Sequence, residues 1–123
     1  MATQQASIEV SLPANADLSA SQFLFVLLNT SGRVAVVASA GGDADGVLTN
    51  KPTVAGEAAS VQIGGIAKVV AGGTITAGDK VQSDAAGKAL TAASADHVLG
   101  RATISAVSGD LVEVLLTNHH ILA

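Results

Sequence analysis

The sequence predicts a mainly β fold: a small antiparallel β-barrel or sandwich with at most one short helix and an extended N-terminal arm. Three observations carry this expectation. Apolar residues come in short runs, several with the two-residue alternation of a strand that has one buried face. Glycine-centred turn signals recur between the runs, at Gly64-Gly65, Gly72-Gly73, Gly78-Asp79, Ala86-Gly87 and Ser108-Gly109-Asp110. No stretch longer than about two turns keeps a helical period.

In chain order, Met1 to Gln5 are polar, and then Ile8, Val10 and Leu12 alternate with Ser7, Glu9 and Ser11 as a strand until Pro13 ends it. Asn15, Asp17 and Ser19 supply cap chemistry for one helical turn over Asp17 to Gln22. Phe23 to Leu28 and Val34 to Ala38 flank a short loop that ends in Gly32-Arg33, which reads as a hairpin. Both arms are apolar on both faces, so a central position is expected. After the Gly41 to Gly46 loop and Val47 to Thr49, short strands follow at Val61 to Ile63, Ile66 to Val70, Thr74 to Ile75, Lys80 to Gln82, Ala89 to Leu90, His97 to Ile104 and Leu111 to Thr117. Ala85 to Ala95 is rich in alanine, but Gly87 and Thr91 weaken a helix there. The phrases Gly73 to Asp79 and Ile104 to Asp110 are alike and read as two similar turns rather than a duplication, because no strict period is found. The expected organisation is an arm or edge strand over 1–17, a β-rich domain over 18–117 and a tail over 118–123.

A chain of 123 residues fits one domain. Its apolar content is aliphatic, with two Phe and neither Trp nor Tyr, which counts against binding that depends on ring stacking. The net charge of −4 and the scattered basic residues Arg33, Lys51, Lys68, Lys80, Lys88 and Arg101 count against nucleic acid. Without cysteine there is no disulfide frame or thiolate chemistry, which suits a reducing compartment. No signal peptide is visible, and Phe23 to Leu28, the longest apolar run, is far below the ~20 residues of a membrane helix. A soluble, cytosolic product is expected.

Catalysis needs a nucleophile, a base and an orienting group, and the chain offers no motif that assembles them. Its histidines are His97, His119 and His120. Adjacent residues on a strand point to opposite faces, so His119 and His120 are poorly placed to share one metal ion. Asp43-Ala44-Asp45-Gly46 opens like a calcium loop but lacks the closing glutamate, since position 54 is Val. The paired glycines are not followed by the Gly-Lys-Ser/Thr of a phosphate loop. Gly78-Asp79-Lys80-Val81 is similar to a phrase of lipoyl and biotinyl carrier domains, yet their tip motif around the modified lysine is absent. No catalytic residue, cofactor or metal is expected.

The order of phrases is more specific than any one of them. Ser21-Gln22-Phe23, Asp45 to Pro52, Ala55 to Val61, Gly65 to Val69, Ala77 to Val81, Ser83 to Ala89, Val98 to Ala102 and Gly109 to Leu116 follow in a pattern that resembles the capsid cement (decoration) proteins of tailed bacteriophages, over residues 20 to 117. The resemblance implies a β-rich structural protein on the exterior of the virion. It would bind the outside of an assembled head and bridge major capsid protein subunits as a homo-oligomer, a trimer in preference to a dimer. It would be made in the host cytoplasm, with no nucleic-acid or membrane partner. A non-viral β interaction or carrier module is the alternative. The family supplies no motif of contact residues. The candidates read from the residues are Ile8, Val10 and Leu12, as a strand added to a capsid sheet or completing the protein's own, and His119 and His120 near the C-terminus.

Overall fold

The computed structural model describes residues 7–93 and 96–121, with 117–121 as backbone only. Strands β1 (Ile8–Pro13), β2 (Phe25–Leu28), β3 (Val34–Val36), β4 (Gly46–Leu48) and β5 (Ala58–Gly64) form one antiparallel sheet in the order β1-β5-β4-β2-β3. Strands β6 (Ile66–Val70), β7 (Lys80–Ser83), β8 (Ala89–Thr91), β9 (His97–Ala102) and β10 (Leu111–Ile121) form a second in the order β6-β10-β9-β7-β8. Neither sheet closes into a barrel. Single parallel bridges, Ala14 to Val34 and Ala71 to Ala89, are all that join the edges of each. The segment 118–123 carries strand backbone as far as Ile121, which pairs with His97.

The described residues contain no helix, so the helical turn expected over Asp17 to Gln22 does not form, and the described part of Ala85 to Ala95 is not helical, in keeping with its Gly87 and Thr91. Asp17 Oδ1 accepts the Ser19 N–H at 2.9 Å and its hydroxyl at 2.6 Å, and the Leu18 N–H is committed to the Pro52 carbonyl. Asp84 Oδ1 likewise accepts the N–H groups of Ala86 and Lys88, and Gly87 adopts φ 81°. The Asp17 bonds are cap-like, but the Ser21 N–H closes a tight turn on the Leu18 carbonyl and the Phe23 N–H goes to the Leu48 carbonyl with Phe23 at φ 66°, so no helix propagates. At Asp84 the N–H donates to the Lys88 carbonyl and closes the β7-β8 hairpin. The hairpin β2-β3 is formed with Leu28 opposite Val34. β2 lies inside the sheet as expected, whereas β3 is its edge. That edge is covered, since the Asn15 N–H donates to the Val34 carbonyl and a side chain at Gly87 would meet Val36 Cγ1 at 2.7 Å.

The two sheets have the same strand order, and the correspondence extends to register and turns. Leu28–Val34 and Val26–Val36 pair in the first half as Ser83–Ala89 and Val81–Thr91 do in the second. Asn29 Oδ1 accepts from the N–H groups of Ser31 and Arg33 as Asp84 Oδ1 does from Ala86 and Lys88, with Gly32 and Gly87 both at positive φ. The Ala14 N–H donates to the Glu57 carbonyl and the Gly56 N–H to the Ala14 carbonyl; Ala71, Asp110 and Gly109 repeat both bonds. Gly46 and Gly100 meet the same obstacle: an added Cβ would strike Val61 Cγ1 at 2.7 Å in one and Val114 Cγ1 at 2.6 Å in the other, each with a carbonyl beside it. The chain is a tandem duplication of one five-stranded unit. The alike phrases Gly73 to Asp79 and Ile104 to Asp110 are not its copies. They lie against each other inside the second unit, where Ile75 and Ala106 exchange backbone hydrogen bonds.

The cores follow the duplication. Ala14, Leu18, Val26, Val34, Leu48, Ala59 and Val61 fill the first unit. Their counterparts Ala71, Ile75, Val81, Ala89, Ala102, Val112 and Val114 belong to the second cluster, which also takes in Phe25 and Val47 from the first sheet and Val37 and Ala44 from its β3-β4 connection. Strand alternation explains this sharing. In β2 and β4, Val26 and Leu48 point into the first core while Phe25 and Val47 point into the second. Backbone hydrogen bonds also join the units, as the Val70 N–H donates to the Phe23 carbonyl and the Phe25 N–H to the Gly87 carbonyl.

Candidate interaction surface

Among the described residues no three histidine or acidic side chains gather as a metal site would require. His97 Nδ1 stands 3.8 Å from Asp43 Oδ1, an exposed pair. Asp45, the second aspartate of the calcium-like phrase, accepts the Leu28 N–H at 2.8 Å and so pins β2 to the following loop. Lys80 opens β7 opposite Arg101 instead of occupying a hairpin tip, unlike a carrier lysine. Gly65 turns the chain between the units at φ 85°. Gly72 lets Asp84 approach, since a Cβ there would lie 2.6 Å from its Oδ2.

β1 is an edge strand of its own sheet, paired with β5 from Pro13 opposite Ala58 to Ile8 opposite Gly64, with an irregularity between Ile8 and Glu9. Proline can occupy such a strand only with its nitrogen on the side away from the partner. By alternation Ser11 also turns its N–H and C=O outward, so among the described residues β1 presents a short outer edge. The three apolar side chains are not equally displayed. Ile8 is 61% exposed and Val10 37%, but Leu12 is partly buried and packs against the first core. The structure therefore separates the trio, leaving Ile8 and Val10 at the rim. His119 and His120 have their backbone in β10, with His120 opposite Val98, and their side chains lie outside the described residues.

The sequence marks the turn at Ser108-Gly109-Asp110, but not the turn at Val54 to Glu57 nor the likeness between the two. Val54 is 58% exposed and Val107 56%, each three residues before a residue whose N–H donates back to its carbonyl. The signal is Val-x-Gly-acid in both places, 53 residues apart, too short a phrase to stand out without the fold.

The family model for phage cement proteins matches residues 1–117. No curated protein matches the chain. Among solved structures, the crystal structure of the head fiber gp8.5 N base in bacteriophage phi29 is similar, with a TM-score of 0.66 at 20% identity over 91% of this chain and 95% of that one. At that identity the likeness establishes the fold.

Proposed function

The chain belongs to the phage cement protein family, and on that premise we propose that it binds the outer surface of an assembled head and stabilises it by bridging neighbouring major capsid protein subunits. The observation that carries the reading is the family match, which runs over both units of the duplication. The similar fold of a head fiber base supports a place on the phage head. A protein that binds only the assembled lattice stabilises it by mass action, and an oligomer multiplies modest contacts. The role is structural, without catalysis. Self-association as a trimer is proposed ahead of a dimer, with neither nucleic acid nor membrane as a partner.

The outer edge of β1 is proposed as one contact. The exposed fractions of Ile8 and Val10 together amount to about one side chain, so burying them contributes about 1.5–3 kcal/mol before ordering costs. Leu12 is needed by the protein's own core. The His119-His120 segment is proposed as a second contact; if neutral imidazoles are buried there, occupancy falls as the pH drops below about 6.5.

Expanded heads assembled without the protein provide the test. The purified chain should co-sediment with them and raise their disruption temperature, and it should ignore unassembled capsid protein. Absence from the pellet would sink the reading. Ile8→Asp with Val10→Asp should weaken the binding while leaving the fold intact, and size exclusion with light scattering reports the oligomer.

A further inference from the structure

We propose that each chain carries two equivalent capsid contacts, one per unit, at the turn Val54–Glu57 and its duplicate Val107–Asp110, so that a single polypeptide bridges two copies of the same site on the shell. This rests on the cement reading and specifies how the bridging is done. The turns are built alike. Gly56 and Gly109 have φ 88° and 92°, with open space where a side chain would be. The N–H of the acidic residue after each glycine returns to the valine carbonyl, at 3.2 Å for Glu57 and 3.1 Å for Asp110. This geometry requires glycine at the third position but makes no demand for valine at the first.

Elsewhere the exposed surface of the two units has diverged. Leu28 corresponds to Ser83 by the register of the hairpins, and Ile104 to Asn50 because the preceding Thr103 and Thr49 donate their N–H groups to the matching carbonyls of Glu113 and Ser60. Of the large apolar side chains left exposed among the described residues, only Val54 and Val107 occupy equivalent positions. A turn tip tolerates polar residues readily, and more than half of each valine stands in solvent, where a partner can reach it. Its presence in both units points to a contact each unit makes. A partner that suits two copies of one surface at fixed spacing is itself repetitive, and a lattice of capsid protein subunits is such a partner. Each contact is small, and the affinity comes from engaging both at once.

Val54→Ser, Val107→Ser and the double variant are compared with the unmodified chain for binding to expanded heads. Circular dichroism and thermal unfolding check that each variant is folded. Each single change should weaken binding roughly tenfold or more, and the double change should reduce it by a further factor of at least about ten. A folded double variant that binds like the unmodified chain overturns the proposal. So does a single change that reproduces the whole loss while the other is neutral, since that describes one contact. If the unmodified chain itself fails to bind heads, the cement reading falls first.

Discussion

Gly46 and Gly100 are held by space. Each lies in a strand at negative φ, and each faces a carbonyl and a valine methyl group closer than any real Cβ tolerates. Replacing either with alanine should cost about 1–3 kcal/mol through forced displacement of the neighbouring strand, with similar penalties at the two sites. Urea unfolding of G46A and G100A measures this, and a neutral G100A would mean that the strands part more easily than their packing indicates. Gly78 is held by conformation instead, at φ 93° with nothing nearby, and its counterpart Phe23 adopts φ 66° in the same turn. Asp17 is a separate case, where the Ser19 hydroxyl and then its N–H hold the carboxyl below the ordinary aspartate range. A depressed folded value means the stabilisation is complete above the unfolded pKa and lost as the pH falls through the folded one. Titration of the Asp17 carboxyl carbon by NMR should show the low midpoint, and Ser19→Ala should move it upward. An unmoved midpoint would assign the shift to the backbone alone.

At the level of elements, the joint between the units is the short turn from β5 to β6. Gln62 is buried, and its amide nitrogen donates to the carbonyls of Gly64 and Ile66, both at 3.0 Å, clamping that turn. Gln62→Leu removes both bonds and leaves two carbonyls short of a donor, which should cost about 1–3 kcal/mol. The corresponding residue in the second unit is Leu115, 43% exposed, so Leu115→Ala should be nearly neutral in the same chemical denaturation series. The contrast also explains what was legible in the sequence. The alternation of Ile8, Val10 and Leu12 and the glycine turns locate strands, because local geometry alone decides them. The duplication was hidden because counterparts share a role without sharing an identity: Leu48 matches Ala102, Val34 matches Ala89 and Ala59 matches Val112. The spacing also drifts, from 57 between Ala14 and Ala71 to 55 between Phe25 and Lys80 and 53 between Val61 and Val114, so a fixed period fails. Contact residues were least legible. Exposure separates Leu12 from Ile8, and only tertiary packing sets it.

For the molecule as a whole, the decisive feature is the asymmetry between two like units. The first unit encloses a small core of its own, but it also lends Phe25 and Val47 to the core of the second. Phe25 is one of two phenylalanines in a chain otherwise packed with small aliphatic residues, and it is 1% exposed. Seven small or medium side chains cannot offset the chain entropy of some sixty residues, so neither unit is expected to be stable when the other is lost. Phe25→Ala tests the coupling, because the substitution lies in the first sheet and the cavity opens in the second core. It should cost about 3–5 kcal/mol. Both units should then melt together in one lowered transition, with calorimetric and van't Hoff enthalpies equal. Two resolved transitions, with only one displaced by the substitution, would mean that the units fold independently. In that event the chain would be two tethered modules. A single transition instead makes the two units one cooperative fold.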